Sequence, residues 1–135
     1  MMRLLSMALI VCLTSCSGSV SSISKQLGGS DSLVINFNTP QANTIAKTMS
    51  TTEGKAIKKL INFVDGKTGE AYKCGYDGNL MFYKNGVIVG DVSFNYSGDG
   101  CHHFMQLVND ELTPTTMSNE AANFLKSLAE GKEWY

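Results

Sequence analysis

The sequence predicts an α+β fold, an antiparallel β-meander sheet of four to six strands with two amphipathic helices packed against it. Residues 71 to 109, AYKCGYDGNLMFYKNGVIVGDVSFNYSGDGCHHFMQLVN, break into short apolar and aromatic runs at Gly-containing turns, the pattern of successive hairpins. Ile57, Leu60, Ile61 and Val64 recur at helical spacing, as do Ala121, Phe124, Leu125 and Leu128, so two stripes are available to cover a sheet. A chain of 135 residues suits a single core.

The N-terminus reads as delivery. MMRLLSMALIVCLTSCSGS has a basic start at Arg3, an apolar run from Leu4 to Leu13 and small residues after it, which is the build of a secretory signal peptide. The run is too short for the roughly 20 residues that span a bilayer as a helix. Leu13-Thr14-Ser15-Cys16 resembles the lipobox of bacterial lipoproteins. That resemblance implies cleavage before Cys16, diacylglycerol on its sulfur and acylation of the new amino terminus. Residues 1–15 are thus the expected signal peptide, with the membrane as a partner through the lipid on Cys16. Several acyl chains would make the anchoring stable. Localisation at the cell envelope, on the outer membrane, follows as an expectation, with the periplasmic or surface face left open. Residues 16–30 are rich in Ser and Gly and read as the lipidated Cys and a flexible tether, with residues 31–135 as the single domain.

Within the domain, Ser32 to Asn38 alternates, placing Leu33, Ile35 and Phe37 on one side, as in a half-buried strand closed by Pro40. Ser50-Thr51-Thr52-Glu53 has the spacing of a capping box for the first helix. Lys55, Lys58 and Lys59 fall on its wetter side and read as a solvated face. Lys67 to Glu70 reads as loop, and the meander is expected to begin at Ala71.

Asn85-Gly86 is the strongest hairpin signal, because both central residues of a type I′ turn need positive φ. With Lys84 facing Val87, an unbroken register would put Met81 and Tyr83 on the face of Ile88, Gly90, Val92, Phe94 and Tyr96. Phe82 would lie opposite Phe94, and Asp91, Ser93 and Asn95 would face solvent. Tyr76-Asp77-Gly78-Asn79 and Ser97-Gly98-Asp99-Gly100 are read as the flanking turns, at the other end of the sheet. Thr113-Pro114-Thr115 suits a short edge strand. Ser118 can cap the last helix and Gly131 can end it, with Trp134 and Tyr135 folded back over it.

After removal of Cys12 with the leader and lipidation of Cys16, Cys74 and Cys101 remain as one pair. In an exported protein that suggests a disulfide, and the turns that carry them share an end of the sheet. Cys101, His102 and His103 offer a weak alternative, a small-ligand or metal-binding module. Adjacent strand residues point to opposite faces, so only one of the histidines easily joins the cysteines, short of the four ligands of a closed zinc site. Which His turns inward is left open.

Catalytic signatures such as G-x-S-x-G, H-E-x-x-H, a P-loop or G-x-G-x-x-G do not occur in the sequence. With a formal charge of −1 and no basic cluster, nucleic acid is an unfavourable partner. The functional expectation is a lipid-anchored envelope protein, not an enzyme, with no cofactor and a binding or structural role toward an envelope protein or polymer.

Overall fold

A computed structural model describes residues 21–70 and 73–134. Nine elements follow in order: α1 (Ser22–Leu27), β1 (Ser32–Asn38), β2 (Ile45–Thr51), α2 (Gly54–Val64), β3 (Gly78–Lys84), β4 (Val87–Asn95), β5 (His103–Val108), β6 (Glu111–Thr116) and α3 (Asn119–Ala129). The strands form one antiparallel sheet in the order β2-β1-β3-β4-β5-β6. The α+β expectation holds, with six strands and a meander running from β3 to β6.

The alternation of β1 has the predicted consequence. Leu33, Ile35 and Phe37 are buried, and they pair across β3 with Phe82, Leu80 and Gly78. Val92, Phe94 and Phe104 continue this layer, and Ile57, Leu60, Val64, Ala121, Leu125 and Leu128 pack onto it from α2 and α3. Ser118 caps α3, its hydroxyl accepting from the Ala121 amide, and Gly131 follows the helix at φ 87°. Trp134 folds back as expected, its ring centroid 6.5 Å from that of Phe124.

Four local readings are corrected. First, residues 22–27 are a helix, so residues 21–30 belong to the fold and not to a tether. Leu27 is fully buried and Ile23 nearly so, while the Ser21 and Ser24 hydroxyls both donate to one oxygen of Asp65 at 2.7 and 2.6 Å. Tertiary contacts hold a helix that its six residues could not hold alone.

Second, Ser50 lies in β2, and Glu53 is the N-cap residue of α2 with no side-chain cap. The S-x-x-E spacing is accidental here. Third, Tyr76 to Asn79 is not a turn, because β3 begins at Gly78. The residues described before it, 73–77, are loop and not strand.

Fourth, the Asn-Gly turn is present, with Asn85 at φ 50° and Gly86 at 77°, but the register breaks just beyond it. Tyr83 faces Ile88 whereas Phe82 faces Gly90, so Val89 is an extra residue on β4. A β-bulge of this kind reverses the face of everything past it. Phe82 therefore shares the core with Phe94, and Met81 and Tyr83 lie on the opposite face.

Gly90 then sits beneath α1. A Cβ on Gly90 would come within 2.2 Å of the Leu27 Cδ2, so the absence of a side chain is what lets the helix close on the sheet. Two polar side chains are buried on the core face: Thr115, whose hydroxyl donates to the Val64 carbonyl at 2.7 Å, and Gln106. Neither the Oε1 nor the Nε2 of Gln106 has a hydrogen-bond partner among the described residues. Since an unpaired buried amide is costly, Gln106→Leu is expected to raise stability by about 1 to 2 kcal/mol, read as a rise in the urea midpoint. A drop would mean that the amide is satisfied in solution.

Candidate functional site

The end of the sheet where β3 begins and β4 finishes gathers most of the chemistry-bearing side chains. Cys74 and Cys101 meet there at disulfide distance, with Cα atoms 6.1 Å apart. The Asp77 carboxylate fixes the same end. It accepts from the amides of Tyr96 and Ser97 at 2.7 and 2.9 Å and from the Ser97 hydroxyl at 2.6 Å. Through these contacts the loop at 73–77 is folded across the sheet face that the helices leave bare.

That loop decides which histidine is inward. His103 is fully buried, on the face opposite Phe104, and its ring centroid lies 5.8 Å from that of Tyr76. Its Nδ1 is 2.6 Å from the Cys101 carbonyl oxygen. A carbonyl can only accept, so Nδ1 carries the hydrogen. Asn95, expected to face solvent, is buried by the same loop, donating from Nδ2 to the Gly75 carbonyl and accepting at Oδ1 from the Gly98 amide. His102 is half-buried.

Cys101, His102 and His103 are sequence neighbours, but they do not converge with a further ligand. Among the described residues, no three side chains of His, Cys, Asp or Glu gather to hold a metal ion. Cys16 lies outside the described residues.

Tyr96 leaves this end toward the helix layer, stacked on Phe94 with centroids 6.0 Å apart. Burial raises its phenol pKa above the ordinary 10.0, and the negative charges of Asp77 and Glu130 add to the effect. Because the folded state holds this proton more tightly, the associated stability is fully present below pH 10.0 and is lost as pH rises through the folded pKa. In thermal melts at alkaline pH, Tyr96→Phe is therefore expected to lose less stability than the parent chain. Equal losses would remove Tyr96 as the source.

The chain matches no known protein family, curated protein or solved structure. Geometry alone therefore bears on its role.

Three surfaces remain. On α2, Lys55, Lys58 and Lys59 are exposed, as the solvated-face reading expects. Lys59 is folded over aromatic rings, its Nζ 4.2 Å from the Phe124 centroid and 5.8 Å from that of Phe63. A groove of about 680 Å3 between α1 and the β5–β6 turn is lined by Ser22, Lys25, Gln26, Leu107, Asn109 and Asp110.

The third surface is the bare sheet face, which sequence reasoning did not resolve. Half-buried Met81, Tyr83 and Met105 lie at its centre, and Leu107 (57 % exposed) and Leu112 (70 %) toward one side. A polar ladder crosses it. The Thr48 hydroxyl donates to Asn36 Oδ1 at 2.8 Å, Asn36 Nδ2 to Asn79 Oδ1 at 3.1 Å, and Asn79 Nδ2 to Asp91 Oδ1 at 2.7 Å. The sequence signal for it is Asn36 on the polar side of the β1 alternation.

Proposed function

We propose that this protein is a lipid-anchored component of the cell envelope, on the outer membrane, with a non-catalytic binding role exerted through the bare sheet face. The observation that carries the reading is that the three helices pack on one side of the sheet, which leaves an apolar and aromatic surface around Met81, Tyr83 and Met105 beside a polar ladder. Such a mixed surface suits a protein or polymer partner, with aromatic groups supplying contact area and amides supplying direction.

The leader supports the location. No helix among the described residues is long and apolar enough to cross a membrane, so the lipid on Cys16 is the proposed attachment. From Cys16 to Ser21, the first described residue, a fully extended chain reaches at most about 18 Å. A domain held on so short a lead stays close to the headgroups, and its partner would be a neighbour at that surface.

Two measurements test the reading. Cys16→Ser should abolish metabolic labelling by a fatty acid and release the protein from membranes. A photo-crosslinking residue in place of Ser93, on the bare face, should capture a discrete envelope partner, whereas one in place of Lys126, on α3, should not. Capture at neither position, or equally at both, would remove the bare face from the proposal.

A further inference from the structure

The two edges of the sheet are finished differently. At β6 the outer side is occupied: the Thr116 amide donates to the Lys67 carbonyl at 2.8 Å, the Gly69 amide donates to the Pro114 carbonyl at 2.9 Å, and Thr68 bridges Thr115. Pro114 further blunts that edge. At β2, by contrast, the only strand neighbour among the described residues is β1.

The sequence of β2, IAKTMST, carries a bulge only at its start, where Ala46 is the extra residue opposite the Phe37–Asn38 step, and runs regularly from Lys47 to Thr51. It has no Pro, and its single charge, Lys47, turns away from the edge to donate from Nζ to the Leu128 carbonyl at 2.7 Å. Ile45 stands 60 % exposed. A seven-residue edge of this composition is a ready template for another strand, since its outward N–H and C=O groups have only water to bond.

We infer that β2 pairs antiparallel with β2 of a second copy of this chain, about a two-fold axis at Thr48, to give one continuous sheet across a dimer. The sequence is self-complementary in that register. Lys47 faces Met49 of the other copy and Ala46 faces Ser50, so no like charges are opposed. The opposed pairs from Ala46 to Ser50 also share a sheet face, and the pairing ends before Ile45, where the register of β2 with β1 shifts by one residue. An isologous two-fold contact closes without leaving a free edge.

The polar ladder gives a second reason to prefer a copy over an unrelated strand. It starts on the bare face at Thr48, whose hydroxyl donates inward to Asn36 and keeps acceptor capacity on its outer side. Opposite an identical Thr48, two inward-directed ladders meet symmetrically, and the bare faces of both copies become neighbours. The contact is one strand pair wide, which places it among weak interfaces; copies held on one surface would pair more readily than free ones.

Cysteine crosslinking of the full chain, expressed with its own leader and oxidised in isolated membranes, tests the pairing. Thr48→Cys should give a reducible homodimer, several-fold more than Leu112→Cys on β6, which is also exposed. Chains carrying Ala46→Cys and Ser50→Cys should crosslink when mixed and not when alone. In detergent, Thr48→Lys should shift the sedimenting species toward monomer while the circular dichroism of the folded chain is retained. The inference is overturned if Thr48→Cys stays monomeric, if it crosslinks to a different protein, or if all positions crosslink equally. Failure here leaves partner capture at Ser93 unaffected, so the two readings are separable.

Discussion

Gly78→Ala is expected to cost at least about 3 kcal/mol, the upper end for overpacking a core, and to lower the urea midpoint sharply. Gly78 opens β3 between Phe37 on β1 and Phe94 on β4, and those two rings meet edge to face at 5.8 Å. A Cβ there would lie 2.0 Å from the Asn36 carbonyl oxygen and 2.6 Å from the Phe94 Cζ. The ring could swing aside, but the oxygen belongs to the backbone of a central strand and could move only with the sheet. Gly86→Ala provides the contrast. Its Cβ would meet nothing within 4 Å, and the strain comes only from φ 77°, which costs about 1 to 2 kcal/mol. Urea unfolding of both variants should separate them clearly. A Gly78→Ala midpoint equal to that of Gly86→Ala would mean that the β1–β3 approach is looser than the structure has it.

The same comparison shows what kind of information the sequence carried. β1 was legible because Leu33, Ile35 and Phe37 alternate with more polar residues, and α3 because Ser118 and Gly131 punctuate an apolar stripe. These signals are local and physically complete. β2 was not legible, because an edge strand buries little and Ile45 to Thr51 shows no alternation of apolar and polar residues. Nor was α1, whose Ser-rich residues look like a linker until Asp65 and Gly90 are brought to them by the fold. Asn85-Gly86 set the first two pairs of the β3–β4 hairpin, but the bulge at Val89 depends on Leu27 needing Gly90 beneath it, a contact between residues 63 positions apart. Of the candidate site, the meeting of Cys74 with Cys101 was legible from strand direction. The burial of His103 and Asn95 was not, since it depends on the loop at 73–77, whose sequence suggests the end of a strand and a turn. The Thr48-Asn36-Asn79-Asp91 ladder spans four strands, and its register could not be known before β2 was.

Removing the disulfide is the second large effect, and it tests the site as well as the fold. Cys74 and Cys101 are 27 positions apart, and closing a loop of that size restricts the unfolded chain by about 3 to 4 kcal/mol in the chain-entropy model. Cys74→Ser and Cys101→Ser should each lose that amount, and the double variant should lose no more than either single one, because all three open the same loop. For a small domain this is a large share of total stability, so the reduced protein is expected to melt well below the oxidised one. The structural consequence is specific. The loop at 73–77 covers His103 and Asn95, and without the sulfur bridge it is held mainly by Asp77 and by Asn95 on Gly75. His103 should then become reactive toward an imidazole-modifying reagent under conditions where the oxidised protein protects it, while half-buried His102 changes little. Peptide mapping after brief modification distinguishes the two residues. Equal protection of His103 with and without the bridge would mean that the hydrogen bonds of Asp77, Asn95 and Asn38 close this end of the sheet without it.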